Sequence, residues 1–498
     1  MARPKFVQIP SHSLDRFKPL LGDDFARIEA AAARARQLFA GRAVWHISST
    51  ARGGGVAEML HVLLPYVRGA GVDTRWVVLR ESAAFFALTK RIHNNLHAVA
   101  SDGRGVELGT SDRDFYEGTL AASARNLLPL IQLRDVVFLH DPQTVGLAPA
   151  VKAAGATVVW RCHIGVDRAN PIARAAWNFL EPYAAAADAC VFSREAYAWD
   201  VLDPDRVWTI APSIDPFSPK NQELEPDAVE AIVGAIGLGP ATSAAAPSFI
   251  RSDGTPARID RHAEVLQETP LPTGAPAVVQ VSRWDRLKDH GGLLECFARH
   301  LASGDAHLLL AGPATGAIPD DPEGASVWSE VVGAWNALPT ASRRSVHLIS
   351  LPMDDLDENG AMVNALQRRG DVVVQKSLAE GFGLTVAEAM WKRRPVVGSR
   401  VGGIQDQIVD GVSGVLVDDP ADLDSFAKAI ARLLDDPQEA TKIGEAAHQR
   451  VAKTYLGPGR LAEYVEMLEN LERTSSEKQP RRLARSSRNG VRQTGQMG

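Results

Sequence analysis

Short, uniformly apolar runs recur along the chain, at Val44–Ile47, Trp76–Leu79, Val136–Leu139, Val158–Trp160, Cys190–Phe192 and Val207–Ile210 in the first half. In the second half they fall at Ala277–Val281, His307–Leu310, Val346–Ile349, Val372–Gln375, Pro395–Gly398 and Val415–Val417. The segments between them have helical length, with apolar residues returning every three or four positions. Strands that are apolar throughout, rather than on alternate residues, are covered on both faces, as in a parallel sheet wrapped by helices. The two sets therefore predict two doubly wound α/β domains. Between them, Asp215 to Pro276 contains Pro-Phe-Ser-Pro at 216–219 and a stretch rich in Pro, Ala, Ser and Gly from Gly239 to Pro256, which reads as a linker with an inserted loop. The organisation expected is a first domain over 1–215, a linker and inserted loop over 216–276, and a second domain over 277–459. After the break at Gly457-Pro458-Gly459, an amphipathic helix over 460–472 is expected to pack back on the first domain.

Composition adds limits. With 498 residues, 45% hydrophobic and 23% charged, the chain reads as an ordinary globular protein and not a fibre or a disulfide-stapled scaffold. Met1 to Pro10 lacks the apolar core of a signal peptide and no run approaches a membrane span, so the expectation is a cytoplasmic protein with no membrane insertion. Cys162, Cys190 and Cys296 stand far apart, without CxxC spacing, and read as reduced core residues. The net charge of −6 is uneven, because the segment from Arg473 to Gly498 holds six Arg, Lys478 and one acid, Glu477. The rest of the chain is thus acidic, which disfavours nucleic acid as a partner. Residues 473–498 carry almost no large apolar side chains and are expected to be a disordered basic tail.

Three strand ends carry chemistry. The first strand runs through Ser48–Arg52 into Gly53-Gly54-Gly55 and a helical pattern. Glycines there let the backbone approach a ligand and open a helix N-terminus suited to phosphate or sugar oxygens, although a tight turn alone would also account for them. The turn is neither GxGxxG nor a P-loop. After Ala277–Val281 comes Ser282-Arg283-Trp284-Asp285-Arg286-Leu287-Lys288-Asp289, which puts Arg283 and Lys288 outside a strand's carboxyl end, where a diphosphate would sit. After Val372–Gln375 comes Glu380-Gly381-Phe382-Gly383-Leu384-Thr385, opening a helix that carries Glu388. If both acids were helical, eight residues would separate them by about 12 Å, more than the roughly 5–9.5 Å of a glycosidase carboxylate pair. Two acids held apart suit two sugars of one ligand, a hexose at Glu380 and a ribose at Glu388. Asp112-Arg113-Asp114 and Asp203-Pro204-Asp205 read as turn and cap acids, not metal ligands.

Taken together, Glu380 and Glu388 with seven residues between them, Ser-Arg-x-Asp-x-x-Lys at 282–288 and Gly-Gly-Val at 54–56 resemble the retaining GT-B glycosyltransferases of family 4. Trp160-Arg161-Cys162-His163, His140-Asp141-Pro142-Gln143, Asn364-Ala365-Leu366-Gln367 and Gln375-Lys376-Ser377 look like its trehalose synthase (glycosyltransferring) branch. The resemblance covers about residues 1–472, except the insertion at 239–261. Asp289 stands where many members have glycine. The resemblance implies two Rossmann-like domains facing a cleft and transfer from a nucleoside diphosphate glucose (ADP-, UDP- or GDP-glucose) to glucose. It implies no metal or cofactor, and a homodimer as an open expectation.

By that resemblance Arg283 and Lys288 would hold the diphosphate, Glu380 and His163 the donor hexose, and Glu388 the ribose. Gly54, Gly55, Gly381, Phe382, Gly383, Leu384 and Thr385 would line the donor site, and His140 and Asp141 the acceptor pocket. His163 is equally readable as a core histidine. The rival readings are a trehalose phosphorylase, a family 4 enzyme with another acceptor, and a non-catalytic nucleotide-sugar-binding protein.

Overall fold

The computed structural model describes residues 4–52, 55–100, 107–240, 245–315 and 323–489, and of 475–489 the backbone only. Its first sheet contains β1 (Lys5–Val7), β2 (Ala43–Ser48), β3 (Asp73–Val78), β4 (Val136–His140), β5 (Thr157–Cys162), β6 (Ala189–Phe192) and β7 (Val207–Thr209). A hairpin follows, β8 (Ser248–Ile250) with β9 (Pro256–Arg258). The second sheet contains β10 (Glu264–Leu266), β11 (Ala277–Val281), β12 (His307–Pro313), β13 (Val346–Leu351), β14 (Val372–Gln375), β15 (Val396–Ser399) and β16 (Val415–Val417).

The strand orders are β1-β3-β2-β4-β5-β6-β7 and β10-β13-β12-β11-β14-β15-β16. Among the described residues, only the edge strands β1 and β10 pair antiparallel within these sheets. Every strand expected from the sequence is present, and each of the two sheets reverses its order beside its first long strand, β2 or β11. Open α/β sheets bind ligands outside the carboxyl ends at such a switch point. In both sheets that place is the turn carrying candidate chemistry.

Two expectations need correction. The span 216–276 is not merely linker and loop. It contains the helix Pro226–Ala235, the β8–β9 hairpin and β10, and Leu224, Val229, Ile232, Val233 and Phe249 are buried against Val279, Leu309 and Ile349 of the second domain. Its Pro and Gly residues mark element boundaries; Pro226 sits in the first helical turn, where its missing N–H costs nothing. The second correction concerns the tail. The helix Gly457–Asn489 continues through residues 473–489, and 490–498 lie outside the described residues. Within that helix, Val465, Met467 and Leu468 pack on Ala35, Phe39, Val44 and Phe138 of the first domain.

The chain passes between domains at Ile214 and returns at Leu456, and the two passages lie side by side as a parallel β-bridge. The Ile214 N–H donates to the Tyr455 carbonyl (2.9 Å), and the Gly457 N–H donates to the Ile214 carbonyl (3.3 Å). Among the described residues, no helix is long and apolar enough to cross a membrane.

Candidate active site

The cleft between the domains is lined by Gly55, Glu58, His93, His97, Asp141 and His163 from one side and by Arg283, Lys288, Glu380, Gly381, Phe382, Gly383, Leu384 and Thr385 from the other. Residues more than two hundred positions apart in sequence are thus brought to one space. Gly54 lies outside the described residues. Gly55 opens the helix Gly55–Gly69, and a Cβ there would stand 3.9 Å from Leu384 of the opposite domain.

On the second-domain side, β14 leads into the loop that carries Glu380. Lys288 Nζ donates to Glu380 Oε2 at 2.6 Å, and the Ser377 hydroxyl reaches the same oxygen at 3.3 Å. Thr385 Oγ1 donates to Gln375 Oε1 (2.9 Å), and Gln375 Nε2 donates to Ser377 Oγ (3.0 Å), so a side-chain chain runs from the helix start back to the acid. Gly383 has φ +83 and precedes the helix Leu384–Trp391, whose first N–H groups open on the cleft. Gly381 is pressed against the first domain, since a Cβ on it would lie 2.7 Å from the His163 carbonyl oxygen. The Tyr197 hydroxyl, from the first domain, donates to the Glu380 carbonyl at 2.6 Å.

Arg283 Nη2 donates to Asp285 Oδ2 at 3.2 Å. Burial alone would raise the Asp285 carboxyl, but the charges of Arg283, Lys90 and Lys288 outweigh it and hold the group ionised, below its ordinary range. Asp289 takes a left-handed conformation (φ +46), accepts from the Gly292 N–H at 3.0 Å to cap the helix His290–His300, and pairs with the buried Lys376. Asp289 therefore adopts a backbone shape suited to glycine and uses its side chain as well.

On the first-domain side, Asp141 is also left-handed (φ +58), and its Oδ1 accepts the His163 backbone N–H at 2.7 Å. Burial and the nearby Arg161 charge push the His163 imidazole well below its usual range, so it is neutral, and neither ring nitrogen has a hydrogen-bond partner among the described residues. Arg161 itself is a framework residue, donating to the Val191 and Ile210 carbonyls at 3.2 and 2.7 Å. His140 does not reach the cleft. It is buried behind His163, stacked on its ring at 5.6 Å and bonded to His46 (3.1 Å), because its position in β4 faces the packed interior.

Glu388, two turns into its helix, is buried. Its Oε1 lies 3.1 Å from Lys220 Nζ, while Oε2 has no hydrogen-bond partner among the described residues. Burial raises its carboxyl against the pull of Lys220. Sequence reasoning passed over Lys220, Glu58, Tyr197, His93 and His97. His97 is buried beside Lys288, and burial followed by that charge lowers it to about 4. Of the D-x-D acids, Asp112 caps its own helix and pairs with Arg91, and Asp203 caps a short turn.

Residues 46–199 match the family model described as Trehalose synthase, N-terminal domain, and residues 357–450 match Glycosyl transferases group 1. A trehalose synthase from Rubrobacter xylanophilus is 34% identical over 435 residues, covering 86% of this chain and 91% of that protein. The chain belongs to the trehalose synthase family. A second family protein, from Pyrococcus horikoshii, is 30% identical over 462 residues, 92% of this chain and 96% of its own length. Trehalose phosphorylases are more distant, at 26–27% identity, and the chain spans about half their length. The GT-B fold is shared with an α,α-trehalose-phosphate synthase (UDP-forming) from Burkholderia xenovorans, solved with glucose-6-phosphate. That match has a TM-score of 0.64 at 15% identity and covers 86% of this chain and 100% of the other. The family member described here is therefore a glycosyltransferase with its cleft between two Rossmann-like domains.

Proposed function

We propose that the chain transfers glucose from a nucleoside diphosphate glucose to glucose, with retention at the donor carbon, and so forms α,α-trehalose. The observation that carries this reading is the Lys288–Glu380 contact at 2.6 Å in the cleft, facing His163. A donor laid along it has its diphosphate toward Arg283, Lys288 and the helix start at Leu384, and its hexose toward Glu380 and His163. Asp141 and Gly55 bound the acceptor side.

In the reaction the bond between donor C1 and the diphosphate oxygen breaks, and its electron pair leaves with the diphosphate. Arg283, Lys288 and the helix N-terminus stabilise the growing negative charge. The acceptor hydroxyl oxygen bonds to C1 from the face the diphosphate leaves, and its proton passes to the departing phosphate oxygen. Attack on the leaving face keeps the α configuration. Neutral His163, whose Nδ1 lies 3.4 Å from Asp141 Oδ1 and whose Nε2 has no hydrogen-bond partner among the described residues, is suited to hydrogen-bond a sugar hydroxyl.

The partnerless buried Glu388 Oε2 favours a nucleotide donor over a phosphorolytic reaction, since a ribose hydroxyl would satisfy it and inorganic phosphate would not. The test incubates the purified protein with ADP-, UDP- and GDP-glucose, with and without glucose, and with trehalose plus phosphate. Nucleotide release that depends on glucose, with an α,α-linked product by proton NMR, is the expected result. A β linkage on the donor ring, transfer only to another acceptor, or turnover with phosphate alone would overturn it. Cytoplasmic residence and a homodimeric state belong to the same proposal and are read by cell fractionation and sedimentation.

A further inference from the structure

Lys220 lies on the first passage between the domains, and its backbone is fixed on both sides. Asn364 Nδ2 donates to the Pro219 carbonyl (3.0 Å) and to the Gln222 carbonyl (2.8 Å). Neighbouring Asn221 receives Lys392 Nζ on Oδ1 (2.9 Å) and the Trp391 indole on its carbonyl (3.1 Å), and it donates to the Asp215 carbonyl (3.1 Å). Gly360 leaves just enough room, since a Cβ there would meet the Lys220 nitrogen at 3.3 Å. From this anchored backbone the side chain reaches the cleft. Its Nζ stands 3.1 Å from Glu58 Oε2, on the first domain's glycine-turn helix, and 3.1 Å from Glu388 Oε1, on the second domain's donor helix.

We propose that Lys220 is a positioning residue for the donor's ribose: it engages one carboxylate oxygen of Glu388 and so turns the group to leave the other for the sugar, and its contact with Glu58 ties that arrangement to closure of the domains. The proposal rests on the ribose reading of Glu388 given above. A carboxylate as buried as Glu388, whose side chain is 4% exposed, takes up a proton unless a positive charge faces it. A protonated acid offers a donor in place of one acceptor lone pair. The compact lysine ammonium has three donors, enough to serve two carboxylates at once. The opposing charges of Glu388 and Glu58 outweigh burial and keep Lys220 protonated. Lys392 does not substitute for it, because its Nζ donates to the Glu388 backbone carbonyl, to Asn221 Oδ1 and to Gln367 Oε1 rather than to the Glu388 carboxylate. A salt bridge of purely structural use would alter melting temperature and leave the choice between donors untouched.

The experiment measures kcat/KM with the ribonucleotide sugar and with its 2′,3′-dideoxyribose counterpart, for the native chain, Lys220→Met and Glu388→Gln. The native chain is expected to prefer the ribose donor by roughly tenfold or more, as sites with buried polar partners do. Both variants should lose most of that preference, with the KM for glucose within about twofold of native. If Glu388→Gln loses the preference and Lys220→Met keeps it, the role of Lys220 is overturned and the ribose reading stands. If Glu388→Gln keeps the preference, the ribose reading falls and this proposal falls with it. Should Lys220→Met fail to fold, Lys220→Cys is compared before and after aminoethylation with 2-bromoethylamine, which rebuilds an ammonium at nearly the same reach. Recovery of the ribose preference on alkylation supports the proposal, and alkylation without recovery overturns it.

Discussion

Lys288 and Glu380 are 2.6 Å apart, so the charge that would meet the diphosphate and the acid that would meet the hexose already hold each other in place. Lys288→Ala is expected to lower kcat on the order of a hundredfold, the usual consequence of removing one charge-stabilising donor. Activity should persist in excess EDTA, because Arg283, Lys288 and a helix N-terminus supply the positive charge; rescue of an EDTA-silenced enzyme by magnesium would contradict this. Tyr197 sets the same loop from the other domain through its 2.6 Å bond to the Glu380 carbonyl. Tyr197→Phe should leave donor KM nearly unchanged while kcat for transfer falls several-fold and glucose-independent release of nucleotide rises, since a loop held less firmly on closure admits water. A melting-temperature loss without any change in that partition would make Tyr197 a packing residue only. These residues differ in how visible they are in sequence. Lys288 and Glu380 each follow an apolar strand in a spaced motif, whereas Tyr197 acquires its meaning from a partner 183 positions away. Lys220 follows Pro-Phe-Ser-Pro, a composition that announces a turn and nothing about charge.

Among the elements, the helix His290–His300 depends on Asp289 for its left-handed entry, its cap and the counter-charge of Lys376, whose side chain is 1% exposed. Asp289→Ala should therefore destabilise the second domain by about 3–5 kcal/mol, the cost of leaving a buried ion unpaired, read as a lower urea midpoint. Asp289→Asn keeps the cap and should recover only part of the loss. The helix Gly457–Asn489 divides by its contacts. A chain ending at Arg473 retains Val465, Met467 and Leu468 on the first domain and the Glu472–Arg42 pair (2.6 Å), so its melting temperature and kinetic constants should match the full chain. A chain ending at Gly459 exposes that apolar face and is expected to aggregate, as light scattering would report. The long parallel strands were readable because burial on both faces makes them continuously apolar. The edge strands β1 and β10 have three residues each, and pairing with β3 and β13 creates them, so no local periodicity could announce them.

The whole molecule buries many histidines in the neutral form. Burial lowers His46 and His347 to about 3 and His97 and His290 to about 4, with His140 and His163 also well below the ordinary value. The unfolded chain takes up protons near pH 6.5 while the folded one does not. Stability should then be level above about pH 6.5 and fall steadily toward pH 4. Asp215, Glu388 and Glu463, raised by burial, act in the opposite sense, but three carboxyls do not offset these histidines together with His12, His93 and His307, which are lowered as well. Urea midpoints measured from pH 8 to 4.5 check the sign, and a midpoint that rises on acidification would refute it. Across the cleft, Arg194 forks onto Asp406 at 2.7 and 3.0 Å, and Lys90 reaches Glu323 at 3.0 Å, so the two halves are fastened by charges on the rim of the site. The side-by-side passages at Ile214 and Leu456 give this architecture a different reading as a genealogy. The second domain is an insert: both of its ends open onto one doorway, and the first domain owns the chain on either side. Recombination that exchanges the second domain between relatives must cut twice, near 215 and near 456, and an exchange with a single junction would orphan the final helix from the sheet it covers.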